Sequence, residues 1–76
     1  MLAVQCKMAR AALGLGVREL AVAAEVSPET VVRLEQGENL RPRTLAAIRA
    51  ALEAAGVEFI PENGGGAGVR LRRQPA

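Results

Sequence analysis

Stop and start signals for helices divide the first 56 residues into four short segments, and this division limits the folds open to the chain. Gly14, Gly37 and Gly56 each follow an apolar segment, where a residue with positive φ commonly ends a helix. Ser27–Pro28 and Pro42 stand where segments begin, because serine caps a helix and proline is tolerated in its first turn. These signals predict helices at residues 2–13, 17–24, 28–36 and 42–55.

Apolar residues recur at helical spacing inside the predicted helices, which indicates one shared core. In the first helix they are separated by four, three and four positions, and the fourth helix carries a similar stripe. The residues expected to face inward are Leu2, Cys6, Ala9, Leu13, Leu20, Ala21, Ala24, Val31, Leu34, Leu45, Ile48 and Leu52.

The pattern changes after Gly56 to an alternation of apolar and polar residues. Residues 57–60 and 68–72 alternate, and a glycine-rich loop joins them. This predicts two strands of a wide hairpin, whose apolar face needs a cover because an isolated hairpin is marginal in water. The apolar side chains on that face are Val57, Phe59, Val69 and Leu71.

These elements predict a mainly α fold, with four helices and a C-terminal β-hairpin or β-strand extension. A chain of 76 residues holds one domain at most. We expect the helical domain to span residues 1–56 and the extension to span 57–76, with 73–76 as a frayed tail.

Composition excludes several classes of function. The chain has no histidine and a single cysteine, so an internal disulfide and a structural zinc site lack their residues, and Cys6 lacks a base partner for nucleophilic catalysis. We expect no cofactor and no enzymatic activity. No apolar run reaches the roughly 18 residues that a membrane span needs, and the N-terminus lacks the features of a signal peptide. We therefore expect a cytoplasmic protein that does not enter the membrane.

The second and third predicted helices, joined by a tight turn, form a helix-turn-helix. Residues 18–48, RELAVAAEVSPETVVRLEQGENLRPRTLAAI, resemble the Cro/repressor-type helix-turn-helix family of bacterial and phage regulators, also called the xenobiotic-response-element family. The resemblance covers roughly residues 8–52. It rests on Leu20-Ala21, Ala24, Val26-Ser27, Val31, Glu35-x-Gly37 and Pro42. Two positions depart from the family pattern: Glu25 stands where glycine is common, and Val17 stands where glutamine often touches the DNA backbone.

The resemblance implies that the third helix lies in the major groove of DNA. The implied base-contacting residues are Ser27, Pro28, Glu29, Val32 and Arg33. An arginine can donate to guanine and a glutamate can accept from cytosine, while apolar side chains pack on thymine methyls. An alternative remains for the first three residues, which would also be explained if they only begin the helix.

The resemblance also implies contacts with the DNA backbone and one structural ion pair. The implied backbone-contacting residues are Arg18, Thr30, Asn39, Arg41 and Arg43. Ordinary solvated charges are the alternative for Arg41 and Arg43. Arg10 and Glu35 are expected to pair with each other inside the domain, because an inward carboxylate needs a partner.

The expected function is sequence-specific transcriptional regulation on double-stranded DNA, in the nucleoid of the cell. We expect a homodimer built on Val57, Phe59, Val69 and Leu71, since such regulators read two half-sites. RNA polymerase or a toxin are further partners to consider. Two alternatives stay open: an antitoxin that also represses its own operon, and a protein-interaction adaptor that does not bind DNA.

Overall fold

Four helices and a two-stranded antiparallel hairpin form the fold in the computed structural model, which describes residues 1–72. The expected fold class is confirmed, while the expected frayed tail, residues 73–76, lies outside the described residues. The elements are α1 (Ala3–Leu13), α2 (Val17–Ala24), α3 (Pro28–Glu35), α4 (Pro42–Ala54), β1 (Val57–Ile60) and β2 (Gly68–Leu71).

Local signals set the helix ends within one residue of the predicted bounds. The Ser27 hydroxyl accepts a hydrogen bond from the Thr30 N–H at 3.2 Å, and Pro28 occupies the first helical position of α3. Gly37, with φ +91°, ends that helix and lets the Glu38 N–H reach the Arg33 carbonyl at 3.0 Å. These hydrogen bonds therefore define both ends of α3.

The core lies where the inner faces of all four helices meet. Most of the residues predicted to face inward do so, and Leu13 and Leu45 pack partly buried against its edge. The fully or nearly fully buried apolar residues are Cys6, Ala9, Leu20, Ala21, Ala24, Val31, Leu34, Ile48, Leu52 and Val57.

The start of α1 differs from the prediction. Leu2 was expected in the core, but its backbone is extended (φ −89°, ψ 158°) and 54% of its surface is exposed. Because the helix begins only at Ala3, the Leu2 side chain leaves the inward stripe. Gln5, three positions later, is buried instead, with 4% of its surface exposed.

The hairpin folds back onto α1 and α4 of its own chain. Its register pairs Val57 with Leu71 and Phe59 with Val69, so the four predicted apolar side chains share one face. They are covered unequally: Val57 is 1% exposed, whereas Leu71 is 55% exposed. The hairpin therefore completes the core through its first strand and leaves the end of its second strand open.

Among residues 1–72, no helix combines the length and the apolar character that a bilayer-spanning segment requires.

Candidate nucleic-acid interface

The turn between α2 and α3 places the two helices of the helix-turn-helix. Glu25 ends α2 in the left-handed conformation, with φ 58° and ψ 43°. This conformation brings the Val26 N–H to the Ala21 carbonyl at 3.0 Å. Glu25 thus adopts the positive φ for which glycine is better suited.

One side of α3 packs into the core and the opposite side faces solvent. Val31 and Leu34 anchor the inner side, with 0% and 5% of their surfaces exposed. All five residues predicted to contact bases lie on exposed positions of this short segment: Ser27, Pro28, Glu29, Val32 and Arg33. The fold brings these five together on a single outward surface, which we call the α3 face.

Two charged side chains of the α3 face are joined. Arg33 Nη2 lies 3.2 Å from Glu29 Oε1, and 53% and 73% of the two side chains are exposed. The spacing of four residues places them one helical turn apart, with the carboxylate nearer the positive N-terminal end of the helix dipole. The pair is exposed, so both side chains are accessible from solvent.

The hydroxyls of Ser27 and Thr30 are already used in the helix start. Their oxygens lie 2.8 Å apart, and Ser27 also caps the Thr30 backbone N–H. Thr30 is half-buried, whereas Ser27 is exposed. The structural role foreseen as an alternative for Ser27 is therefore present, and a contact with DNA would be additional to it.

Four exposed polar residues lie in the elements that precede and follow α3 along the chain. Arg18 lies in the first turn of α2, Asn39 lies in the loop after α3, and Arg41 and Arg43 flank the proline that begins α4. Within residues 1–72, none of the three arginines forms an ion pair with a carboxylate. Their guanidinium groups are available for an external anion.

The N-terminus of α4 carries no side-chain cap. Arg41 occupies the capping position without a side-chain hydrogen bond to the helix, in contrast to Ser27 at the start of α3. The first backbone N–H groups of a helix lack partners within the helix and attract anions. Arg41 and Arg43 therefore add positive charge beside backbone N–H groups that already carry a partial positive charge.

Arg10 and Glu35 form the ion pair that the resemblance implies. Arg10 Nε and Nη2 each lie 2.7 Å from one oxygen of the Glu35 carboxylate, and Arg10 Nη1 donates to the Leu15 carbonyl at 3.1 Å. The hydrogen bond from Arg10 lowers the pKa of Glu35, although burial acts in the opposite direction. This bidentate pair connects the end of α3 to α1 and to the loop before α2.

Cys6 lies against the same carboxylate. Its Sγ is 3.2 Å from Glu35 Oε2, and the residue is fully buried. Burial, followed by the hydrogen bond to Glu35, raises the pKa of the thiol to about 12. The thiol therefore stays protonated and acts as a weak donor in the core, as expected for a structural cysteine.

Sequence reasoning missed two polar residues. Gln36 is exposed immediately after α3, three positions after Arg33 and four after Val32, and this helical spacing continues the outward side of α3. Gln5 is buried and donates to the carbonyls of Ile60 and Gly68 at 3.2 and 3.0 Å. No local signal identifies its partners, which follow more than 50 residues later in the chain.

Comparison with known families supports the assignment of the helix pair. A family model described as a helix-turn-helix domain matches residues 2–59, which is more than half of the chain and includes most of β1. No curated protein matches the chain closely enough to count as a relative. The chain therefore belongs to the helix-turn-helix domain family, and this membership supports a DNA-binding regulator.

Proposed function

We propose that the protein is a non-enzymatic, cytoplasmic transcriptional regulator of the Cro/repressor type that binds double-stranded DNA in a sequence-specific manner. The observation that carries the proposal is the α3 face. Its five exposed residues project from a helix whose opposite side is anchored by Val31 and Leu34. A capped and packed helix of this kind can enter the major groove without first having to be ordered.

Binding divides into positioning by phosphates and readout of bases. Arg41, Arg43 and the uncapped N–H groups of α4 bind the phosphates on one side of the groove, and Arg18 at the start of α2 binds on the other. Arg33, Glu29 and Val32 then meet the base edges. Arg10 and Glu35 stay inside the domain and hold the end of α3 in place.

Salt-dependent binding to random duplex DNA tests the phosphate contacts. We expect Arg41→Ala and Arg43→Ala each to weaken binding to all sequences and to reduce the slope of log affinity against log salt by about 1. Arg70→Ala serves as the control, because Arg70 lies on the hairpin and pairs with Glu58 at 3.4 Å. Absence of duplex binding by the wild type at low salt would contradict the proposal and favour the adaptor.

We also propose a homodimer that uses the open end of the hairpin. Val57 is buried within its own chain, so the surface left for a second copy consists of half-buried Phe59 and Val69 and the exposed Leu71. Removing the whole hairpin would take Val57 out of the core and would unfold the domain rather than test the dimer. A single substitution at Leu71 is the more informative change.

We expect Leu71→Glu to give a monomer by light scattering, since a charge replaces an exposed apolar side chain. Val22→Glu is the matched control, because Val22 is 79% exposed on α2 and distant in sequence from the hairpin. A Leu71→Glu protein that remains dimeric, with the Val22→Glu control also dimeric, would rule out the hairpin interface.

A further inference from the structure

We propose that Glu29 and Arg33 act as one unit that reads a single G·C base pair in each half-site. The inference rests on the proposed function, in which α3 lies in the major groove. Its starting observation is the 3.2 Å contact between Arg33 Nη2 and Glu29 Oε1 on the exposed side of α3. The two side chains therefore approach DNA already joined.

The joined pair has the hydrogen-bonding pattern that a G·C pair needs. A guanidinium donates through several N–H groups, so a bond to one carboxylate oxygen leaves donors for a second partner, and the other carboxylate oxygen still accepts. The unit thus offers donors beside an acceptor. In the major groove, guanine presents two acceptors, N7 and O6, and cytosine presents the N4 amino donor. The Arg33 donors therefore face the guanine acceptors, and the Glu29 acceptor faces the cytosine amino donor.

An A·T pair does not satisfy the same unit. Its major-groove edge presents an acceptor, a donor, an acceptor and a methyl group. The guanidinium would face the adenine amino group, or the carboxylate would face thymine O4. The first contact places two donors opposite each other, and the second places two acceptors opposite each other. Either one leaves a polar group without a hydrogen bond, which is costly once water has been excluded.

The charge of Glu29 adds selectivity by opposing the wrong complexes. If Arg33 turned away to a phosphate, the carboxylate would stand in a groove of high negative potential without a cationic partner. Reading the G·C pair keeps Arg33 beside the carboxylate while the carboxylate meets the cytosine amino group. Glu29 therefore lowers the affinity for random duplex more than the affinity for a site that offers a cytosine amino group.

Pre-arrangement in the free protein makes the unit effective. Glu29 precedes Arg33 by four residues, the favourable order for a helical ion pair. An exposed pair of this spacing is worth about 0.3–0.5 kcal/mol, so it biases the two side chains towards the joined arrangement before binding. Val32, which is 39% exposed beside them, can pack on a neighbouring base without competing for their hydrogen bonds.

The test is selection of bound sites from random duplex by the full chain and by Glu29→Ala, Glu29→Gln, Arg33→Ala and the Glu29→Ala/Arg33→Ala double variant. Arg33→Ala and Glu29→Ala should relax the same base pair, with Arg33→Ala losing about 5- to 150-fold of discrimination there. Glu29→Ala should also raise affinity for random duplex. The double variant should discriminate at that position no less than Arg33→Ala alone. Glu29→Gln, which keeps an acceptor, should fall between the wild type and Glu29→Ala.

A second helical pair in the same chain supplies the control. Arg49 and Glu53 on α4 are also four residues apart, with Nε 3.3 Å from Oε2. Glu53→Ala should leave the selected sites unchanged. Relaxation of two different positions by Glu29→Ala and Arg33→Ala, or no effect of Glu29→Ala, would overturn the coupled reading while DNA binding stands. Failure of the wild type to bind any duplex at low salt would instead overturn the proposed function.

Discussion

Glu25 holds the turn before α3 in a conformation that costs free energy. It is the one non-glycine residue with positive φ among residues 1–72. For an L-residue other than glycine, asparagine or aspartate, the left-handed region costs on the order of 1–2 kcal/mol. The sequence showed only that glycine, common in the family at this position, is absent. The structure shows that the backbone keeps the positive φ all the same.

We predict that Glu25→Gly stabilises the domain. Glycine removes the conformational cost but adds flexibility to the unfolded chain, so the net gain in unfolding free energy should be about 0.5–1 kcal/mol. Urea unfolding followed by circular dichroism measures it. Glu25→Ala retains a Cβ at the same φ and should leave the unfolding free energy nearly unchanged. An equal gain in both variants would show that charge, rather than backbone conformation, is responsible.

Arg10→Met should destabilise the domain strongly at neutral pH. The substitution leaves Glu35, whose side chain is 9% exposed, without its bidentate partner. Stranding a largely buried carboxylate should cost about 3–5 kcal/mol. Arg70→Met breaks the surface pair with Glu58 and should cost at most about 1 kcal/mol. A similar loss in both variants would contradict a structural role for Arg10.

The contribution of the Arg10–Glu35 pair to the unfolding free energy should depend on pH. The folded-state pKa of Glu35 lies below the ordinary 4.5, chiefly because Arg10 donates to the carboxylate. The stability from this shift is complete above 4.5 and is lost as pH falls through the lower folded pKa. In Arg10→Met the stranded carboxylate should bind a proton more readily. The difference between the two proteins in urea unfolding should therefore shrink in acid, and a constant difference would contradict the explanation.

At the scale of elements, Gln5 joins α1 to both strands of the hairpin. Its amide nitrogen donates to Ile60 and Gly68, which face each other across the strand pair, and its oxygen accepts from the Leu2 N–H at 2.8 Å. One buried side chain thus satisfies three backbone groups from three parts of the chain. Local spacing could not reveal this role, because a glutamine on a helix is usually exposed.

We predict that Gln5→Met loosens the hairpin. Methionine fills a similar volume but leaves the two carbonyls without their donor, which should cost about 1–3 kcal/mol. Relative to the wild type, the variant should lose more hydrogen-exchange protection in β1 and β2 than in α2 and α3. Lys7→Met, at an exposed position of the same helix, is the control. Uniform loss of protection across the domain would show that Gln5 supports the whole core rather than the hairpin alone.

At the scale of the whole molecule, helices and hairpin close around one core that contains Cys6. The thiol is fully buried, and its pKa is raised to about 12. Only the thiolate attacks alkylating reagents rapidly. Reaction of Cys6 should therefore require opening of the domain, and its rate should report the free energy of that opening.

We predict that iodoacetamide modifies native Cys6 slowly and that urea accelerates the reaction in parallel with unfolding. A Cys6→Ala/Val22→Cys variant, with its thiol at a position 79% exposed in the wild type, should react at the rate of a free thiol without urea. Rapid modification of the wild type under native conditions would mean that α1 separates from the core far more often than its packing implies.

Local chemistry in the sequence determined the helix ends, the capped start of α3, the helix-turn-helix pair and the alternating strands. Each of these depends on residues within a turn or two of one another. The exposed side of α3 followed as well, since Val31 and Leu34 mark its inner side by their spacing.

Tertiary structure alone decided how distant segments meet. It turned the hairpin back onto its own helices, buried Val57 while leaving Leu71 open, moved Leu2 out of the core and gave Gln5 its strand partners. The physical reason is that the local sequence shows which side chains need burial or a hydrogen-bond partner, but it does not show which distant segment provides the contact. The partner of each buried group is decided only when all segments pack together, because the segments exclude one another from the same space.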